Sequence, residues 1–316
     1  FNAGTISNTA ISGTGTAASV KLAASSVRQI QLGLYNTPGL AAGIDVIGNK
    51  AYVADTAEGL HILDISTLAT PTLIGTYNTP GSAYDVSVIG NKAYVADDTF
   101  GLHIIDVTNP ASPSLIGTYD TLGIAYDVSV VGNRAYVADD TFGLHIIDVT
   151  TPLNPTLMGT FTTGAPNRKV EIIGNTAYVA ARNAGFLILD VSIPGNPTLT
   201  GAFNTDGSAF DITVVGNTAY VADYAFGLSV FNISDPSTPT LLGTYDTVGN
   251  AYDVTVVGNT AYVMDTTEGI SIIDVTTPAN PTLTGTYATK GSADYGVIVG
   301  NIAYVAVNSS GIEIIK

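Results

Sequence analysis

Between Ala83 and Tyr119 the chain spells four short apolar-rich runs separated by turn residues, and this stretch is the key to the rest. Ala83 to Ile89 reads AYDVSVI, where Tyr, Val and Ile favour an extended strand. Gly90-Asn91 follows, a two-residue loop of the kind that supplies positive φ, so the chain is predicted to reverse into Ala93 to Asp97 as a tight hairpin. Asp98 to Gly101 forms the next turn. Leu102 to Val107 (LHIIDV) is nearly continuous in apolar residues, as expected of a strand covered on both faces. Thr108-Asn109-Pro110 ends it, and Leu115 to Tyr119 (LIGTY) makes a fourth, outer strand.

The same pattern recurs. Gly-Asn followed by Ala-Tyr-Val begins at Gly48, Gly90, Gly132, Gly174, Gly216, Gly258 and Gly300, every interval being 42 residues. The sixteen residues AYVADDTFGLHIIDVT stand letter for letter at 93–108 and again at 135–150. Seven equal copies of a four-stranded unit, apolar on both faces, must stack face to face, and the period is that of a propeller blade. Closure can be checked in the sequence. The last copy stops at Lys316, after its third strand, while Ile30 to Tyr35 (IQLGLY) lies 84 residues, two periods, before the outer strand ending at Tyr119. The amino-terminal strand is therefore predicted to complete the seventh blade. The expectation is an all-β, seven-bladed β-propeller over residues 27–316, preceded by an extended arm or linker at 1–26.

The third strands GLHIIDV (101–107), FLILDV (186–191) and GISIIDV (269–275), each followed by a Pro-containing turn and an outer L-x-G strand, resemble the LVIVD-repeat β-propellers of bacterial and archaeal surface or secreted proteins. The resemblance covers all seven copies and implies a fold and an extracellular or cell-surface setting. It carries no general catalytic motif.

Composition narrows the partners. Ten Lys and Arg against 26 Asp and Glu give a net charge of −16, yet only 11% of residues are charged, so Thr, Ser, Asn and Gly dominate the surface. Nucleic acid and anionic membranes need clustered basic residues, which are scarce here. No run approaches the ~18–20 apolar residues that cross a bilayer, so no transmembrane segment is expected. Cysteine is absent, which removes disulfides and thiolate metal sites.

Candidate chemistry is then weighed against the repeat. His61, His103 and His145 occupy one position in three consecutive blades, where the others carry Leu187, Ser229, Ser271 and Glu313. Third strands of adjacent blades stand over ~10 Å apart on ordinary strand spacing, too far to share a zinc ion, so the position reads as a tolerant surface-side site. Asp97-Asp98 and Asp139-Asp140 read as turn residues, with calcium as the functional alternative. Asp64, Asp106, Asp148, Asp190 and Asp274 read as caps of the turn after the third strand, and Tyr52 with its equivalents as interblade packing.

The inner strand is more informative because its copies disagree. At one axial position the blades carry Gly43, Asp85, Asp127, Lys169, Asp211, Asp253 and Tyr295. Two readings stand: the carboxylates satisfy backbone donors of neighbouring blades while Lys169 pairs with Asp127 and Asp211, or they line a central pocket for a cation or polar ligand. The fourth blade also has Arg168 where others have Tyr84, Tyr126 or Phe210, and Ala181-Arg182 where its neighbours have Asp-Asp. Arg168 and Arg182 are thus a candidate docking spot for an acidic partner, such as another copy of the chain. No catalytic constellation is visible, so no enzyme, catalytic residue, metal centre or required cofactor is expected beyond the calcium alternative.

Residues 1–26 are rich in Ser, Thr and Gly, with one charge, Lys21, and short β-type runs. Such an arm could add a strand to the open edge of a neighbouring subunit. The first expectation is accordingly an extracellular structural or adhesive protein that self-associates into oligomers or filaments or joins cell-surface components. The alternative is a propeller binding a ligand or cation at its acidic axial mouth.

Overall fold

A Gly-Asn pair reverses the chain only where the glycine can hold positive φ, and the backbone meets that requirement at all seven copies, with Gly90 at +62°. The computed structural model describes residues 29–316, so the arm at 1–26 lies outside the described residues. Twenty-eight strands form seven four-stranded antiparallel sheets, and no helix occurs among the described residues. In the second blade the strands are Ala83–Ile89, Lys92–Asp97, Leu102–Asp106 and Ser114–Tyr119, within a residue or two of the sequence expectation. Adjacent inner strands contact each other in turn, and the first meets the last, so the sheets form a closed seven-bladed ring.

The closure is the predicted one. Gln31–Tyr35 pairs antiparallel with Ile312–Ile315, placing Tyr35 opposite Ile312 and completing the blade of Tyr295–Val299 and Ile302–Ala306. Two further backbone bonds join Ile30 to Lys316, at 2.9 and 3.0 Å. This last sheet ties the two ends of the described chain together through a ladder of hydrogen bonds.

The core lies between blades rather than inside one. Tyr52, Leu60 and Ile62 of the first blade meet Val86, Val95, Ile105 and Val107 of the second in one buried cluster. The same layer recurs between later blades. Each sheet therefore buries both faces, which explains the unbroken apolar third strands. The layers meet closely at the rim: a Cβ on Gly75 would lie 2.3 Å from the Pro110 carbonyl oxygen of the next blade, so glycine is required there.

Candidate ligand site at the axial mouth

The inner strands line the central channel, and their carboxylates turn sideways into the neighbouring blade. Asp85 Oδ2 accepts the Val128 N–H (3.2 Å), Asp127 Oδ2 that of Val170 (2.9 Å), Asp211 Oδ2 that of Val254 (2.8 Å) and Asp253 Oδ2 that of Gly296 (3.1 Å). Each bond links residues 43 apart, one period plus one. The first and fourth blades have no carboxylate at this position, since they carry Gly43 and Lys169. There the clamp moves two residues along the strand: Asp45 Oδ2 accepts the Val88 N–H at 2.8 Å and Glu171 Oε2 accepts the Val214 N–H at 2.7 Å. Six of the seven joints thus carry one carboxylate clamp, and no such bond joins the seventh blade to the first among the described residues. The sequence reading missed Asp45 and Glu171. The signal was present, because residues two apart share a strand face and these two acids occur in blades that lack the usual aspartate.

Lys169 fills the channel. Its Nζ lies 2.8 Å from Asp127 Oδ1 and donates to the Tyr295 hydroxyl at 3.0 Å, so blades four and seven are joined across the axis. The ammonium also sits 4.4 Å from the centre of the Tyr295 ring. Nearby carboxylates hold Lys169 well above the ordinary lysine range despite its burial, with Asp127 the strongest of them. The expected second ion pair, Lys169 with Asp211, does not form. Burial pushes the Asp211 carboxyl up, and burial together with the Asp211 charge holds that of Asp253 well above the usual range.

Of the two readings of the axial ring, the interblade one describes the four aspartate bonds. Asp85, Asp127, Asp211 and Asp253 are buried, each gives one oxygen to a backbone donor, Asp127 also meets Lys169, and Asp211 Oδ1 has no hydrogen-bond partner; together they form a floor. Above that floor the mouth is built by the preceding residue of each inner strand: Ala42, Tyr84, Tyr126, Arg168, Phe210, Tyr252 and Asp294. They enclose a cavity of about 220 Å³, and a second, more polar cavity of about 310 Å³ opens on the other side of the floor. Asp85, Asp127, Lys169 and Tyr295 line both.

The mouth is asymmetric. Tyr84 and Tyr126 meet at 4.9 Å between ring centres on one side, and Phe210 and Tyr252 at 4.8 Å on the other. Arg168 lies between the pairs, its Cζ 3.9 Å from the Tyr126 ring centre and 5.0 Å from that of Phe210. Arg182 approaches Phe210 as well, at 5.1 Å. Of Arg168 and Arg182, read from the sequence as a docking spot, Arg168 lines the mouth and Arg182 approaches the same Phe210 ring from outside the cavity lining. Asp294 faces them from the seventh blade, held by Ser292 Oγ at 2.6 Å and Asn308 Nδ2 at 3.0 Å, with burial pushing its carboxyl up.

Residues outside the channel serve the fold. Asp97 accepts from Thr79 Oγ1 at 2.5 Å and from the Gly81 N–H at 2.9 Å, fastening the loop that enters the blade. Asp139 Oδ1 accepts the Thr141 and Phe142 N–H groups at 2.9 and 2.8 Å, holding its hairpin turn. Asp139 Oδ2 and Asp140 Oδ1 have no hydrogen-bond partner, and no group of three or more His, Asp or Glu suited to a metal occurs among the described residues. Asp64, Asp106, Asp148, Asp190 and Asp274 each accept the N–H two residues on, at 2.8 Å, and act as turn caps.

The histidine position is corrected from surface-side to buried: His61, His103 and His145 are 2, 4 and 6% exposed. Stacked blades cover both faces of the third strand, so even its polar positions lie inside. Both ring nitrogens of His61 and His145 lie without a hydrogen-bond partner. His103 Nδ1 lies 3.6 Å from Asp97 Oδ2, and Glu313 takes the Lys290 N–H at 2.6 Å. Burial pushes all three imidazoles below the ordinary histidine range.

Comparison with known proteins bears on the fold. The sequence model described as the LVIVD repeat matches residues 38–79, 80–121, 122–163, 167–205, 206–247 and 248–289. Among solved structures the chain is similar to a computationally designed protein, Ika8, with 8% identity and a TM-score of 0.69 over 90% of this chain and 98% of that one. It is also similar to Sqt1 of Saccharomyces cerevisiae, with 7% identity and a TM-score of 0.67 over the same shares. At these identities the likeness concerns the fold alone. No curated protein matches the chain.

Proposed function

The chain is a member of the LVIVD repeat family, and on that footing we propose that it is a non-catalytic, extracellular or cell-surface propeller that binds a small polar molecule in its axial mouth. The observation that carries this reading is the cavity of about 220 Å³ walled by four aromatic rings and Arg168. Concave sites with apolar walls and a few convergent polar groups are the usual form of a small-molecule site. The axial carboxylates are spent on interblade donors, which favours binding over acid–base chemistry. A surface rich in Thr, Ser, Asn and Gly supports the extracellular setting. Calorimetric titration against monosaccharides, amino acids and nucleosides tests the reading: at least one class binds, and the binding is lost in the Tyr126→Ala, Tyr252→Ala double variant. Silence across the panel would remove the proposal.

Self-association is the second reading, and the outer strands favour it. Leu73, Leu115, Leu157, Leu199, Leu241 and Leu283 are exposed, one on each open edge strand of six blades. Unpaired edges with apolar residues accept an added strand, and the segment at 1–26 is the candidate donor. Light scattering and electron microscopy on the intact chain and on a version starting at Val27 decide this. Assembly by the intact chain alone supports it, and monomers in both end it.

A further inference from the structure

The fourth blade departs from its neighbours where the axial mouth opens. The chain has ten basic residues and a net charge of −16, yet it directs two arginines at one ring, with the Cζ atoms of Arg168 and Arg182 at 5.0 and 5.1 Å from the centre of Phe210. Their like charges oppose each other, and burial opposes the charge on Arg168. Among the described residues neither lies within 4.0 Å of a carboxylate, and neither guanidinium hydrogen-bonds to a protein group. The aromatic rings hold the flat face of Arg168 and leave the N–H fork at its edge free, a geometry that matches a carboxylate in two-point contact. A carboxylate-bearing ligand would satisfy both arginines at once.

The rest of the mouth narrows the class. Asp294, across the axis, presents a carboxylate already oriented by Ser292 and Asn308. Together with the acidic floor it would repel a compact ligand charged all round, such as phosphate, whereas it accepts hydrogen bonds from hydroxyl groups. Ala41 and Ala42 line the first blade's side of the mouth with small side chains. Tyr84 and Tyr252, half-buried and lining the cavity, suit the C–H face of a saturated ring.

Resting on the reading of the mouth as a ligand site, we propose that its ligand is an acidic sugar. The carboxylate binds Arg168 and Arg182, the hydroxyls turn toward Asp294 and Asn308, and the ring lies against the tyrosines.

The test is calorimetric titration of the full chain at neutral pH with glucuronate, galacturonate and mannuronate, each beside its neutral hexose, and with glutamate and inorganic phosphate. One uronate is expected to bind at least tenfold more tightly than its hexose, glutamate or phosphate, and more weakly as salt rises. Arg182→Gln, at the rim, is expected to weaken that binding at least tenfold with an unchanged melting temperature. Arg168→Gln should remove it, with circular dichroism reporting whether the ring still closes. A hexose, glutamate or phosphate binding as well as the uronate would overturn the proposal, as would a uronate indifferent to both arginine variants. If amino acids or nucleosides bind at the mouth and uronates do not, the ligand class is wrong and the site stands. If nothing binds, both fall.

Discussion

The inner strands of the second and fourth blades follow the same path, yet Ala83-Tyr84-Asp85 in one becomes Asn167-Arg168-Lys169 in the other. In the second blade the aspartate clamps the next blade through Val128, and the tyrosine packs against Tyr126. In the fourth, Lys169 reaches across the channel to Tyr295 of the seventh blade, which stands where other blades carry aspartate, while Arg168 lies between Tyr126 and Phe210 of its two neighbours. The lost clamp is supplied two residues later by Glu171. A repeat position in a ring thus has two possible partners, the next blade or the opposite wall, and the side chain chooses between them. The clamp is kept at six of the seven joints while its residues move, which releases the fourth blade to present Arg168 at the mouth.

The largest effect should come from breaking that substitution at its centre. Lys169→Met leaves Asp127 buried without its counter-charge and should cost about 3–5 kcal/mol in urea unfolding. Adding Asp127→Asn should restore part of the loss. A double variant as unstable as the single one would mean that Lys169 acts by filling space.

Sharpening the comparison requires that the two kinds of clamp be equivalent. Asp85→Ala and Glu171→Ala should each cost about 1.5–3 kcal/mol, the usual worth of a hydrogen bond to a charged group. A clear loss in the first and none in the second would show that the fourth blade's joint does not depend on its carboxylate.

The smallest expected effect is one of pH. Burial pushes the Glu171 carboxyl up to about 7, whereas in the unfolded chain it titrates near its ordinary value of 4.5. The folded state therefore holds the proton more tightly. This contribution is complete below the unfolded value and is lost as pH rises through about 7. Glu171→Gln, which keeps an oxygen for the Val214 N–H, should flatten stability between pH 5 and 8 by on the order of 1–2 kcal/mol relative to the parent. A parent and variant with parallel pH profiles would assign the slope to other buried acids, with Asp253 first among them.

How much of this was legible depends on whether a feature is local. The hairpins were readable because Gly-Asn fixes its own backbone. The split seventh blade was readable because the period is unbroken, so Ile30 to Tyr35 could be placed in register with Tyr119. The turn caps after the third strand were readable because each aspartate bonds two residues ahead. The histidine position was misread because a site that tolerates His, Leu, Ser and Glu looks exposed until its covering blade is known. Asp45 and Glu171 escaped because a clamp is recognised by its acceptor in the next blade.

By itself the amino-acid sequence determined the unit, its number and the way the ring closes, since these follow from turn chemistry, strand periodicity and a constant 42-residue interval. Only the tertiary structure decided which axial carboxylates are occupied, that Lys169 bridges to Tyr295, and that Arg168 and Arg182 meet over Phe210. The physical reason is that residues repeating along the chain become neighbours around an axis. Their charges then depend on distances across the channel that no single repeat contains.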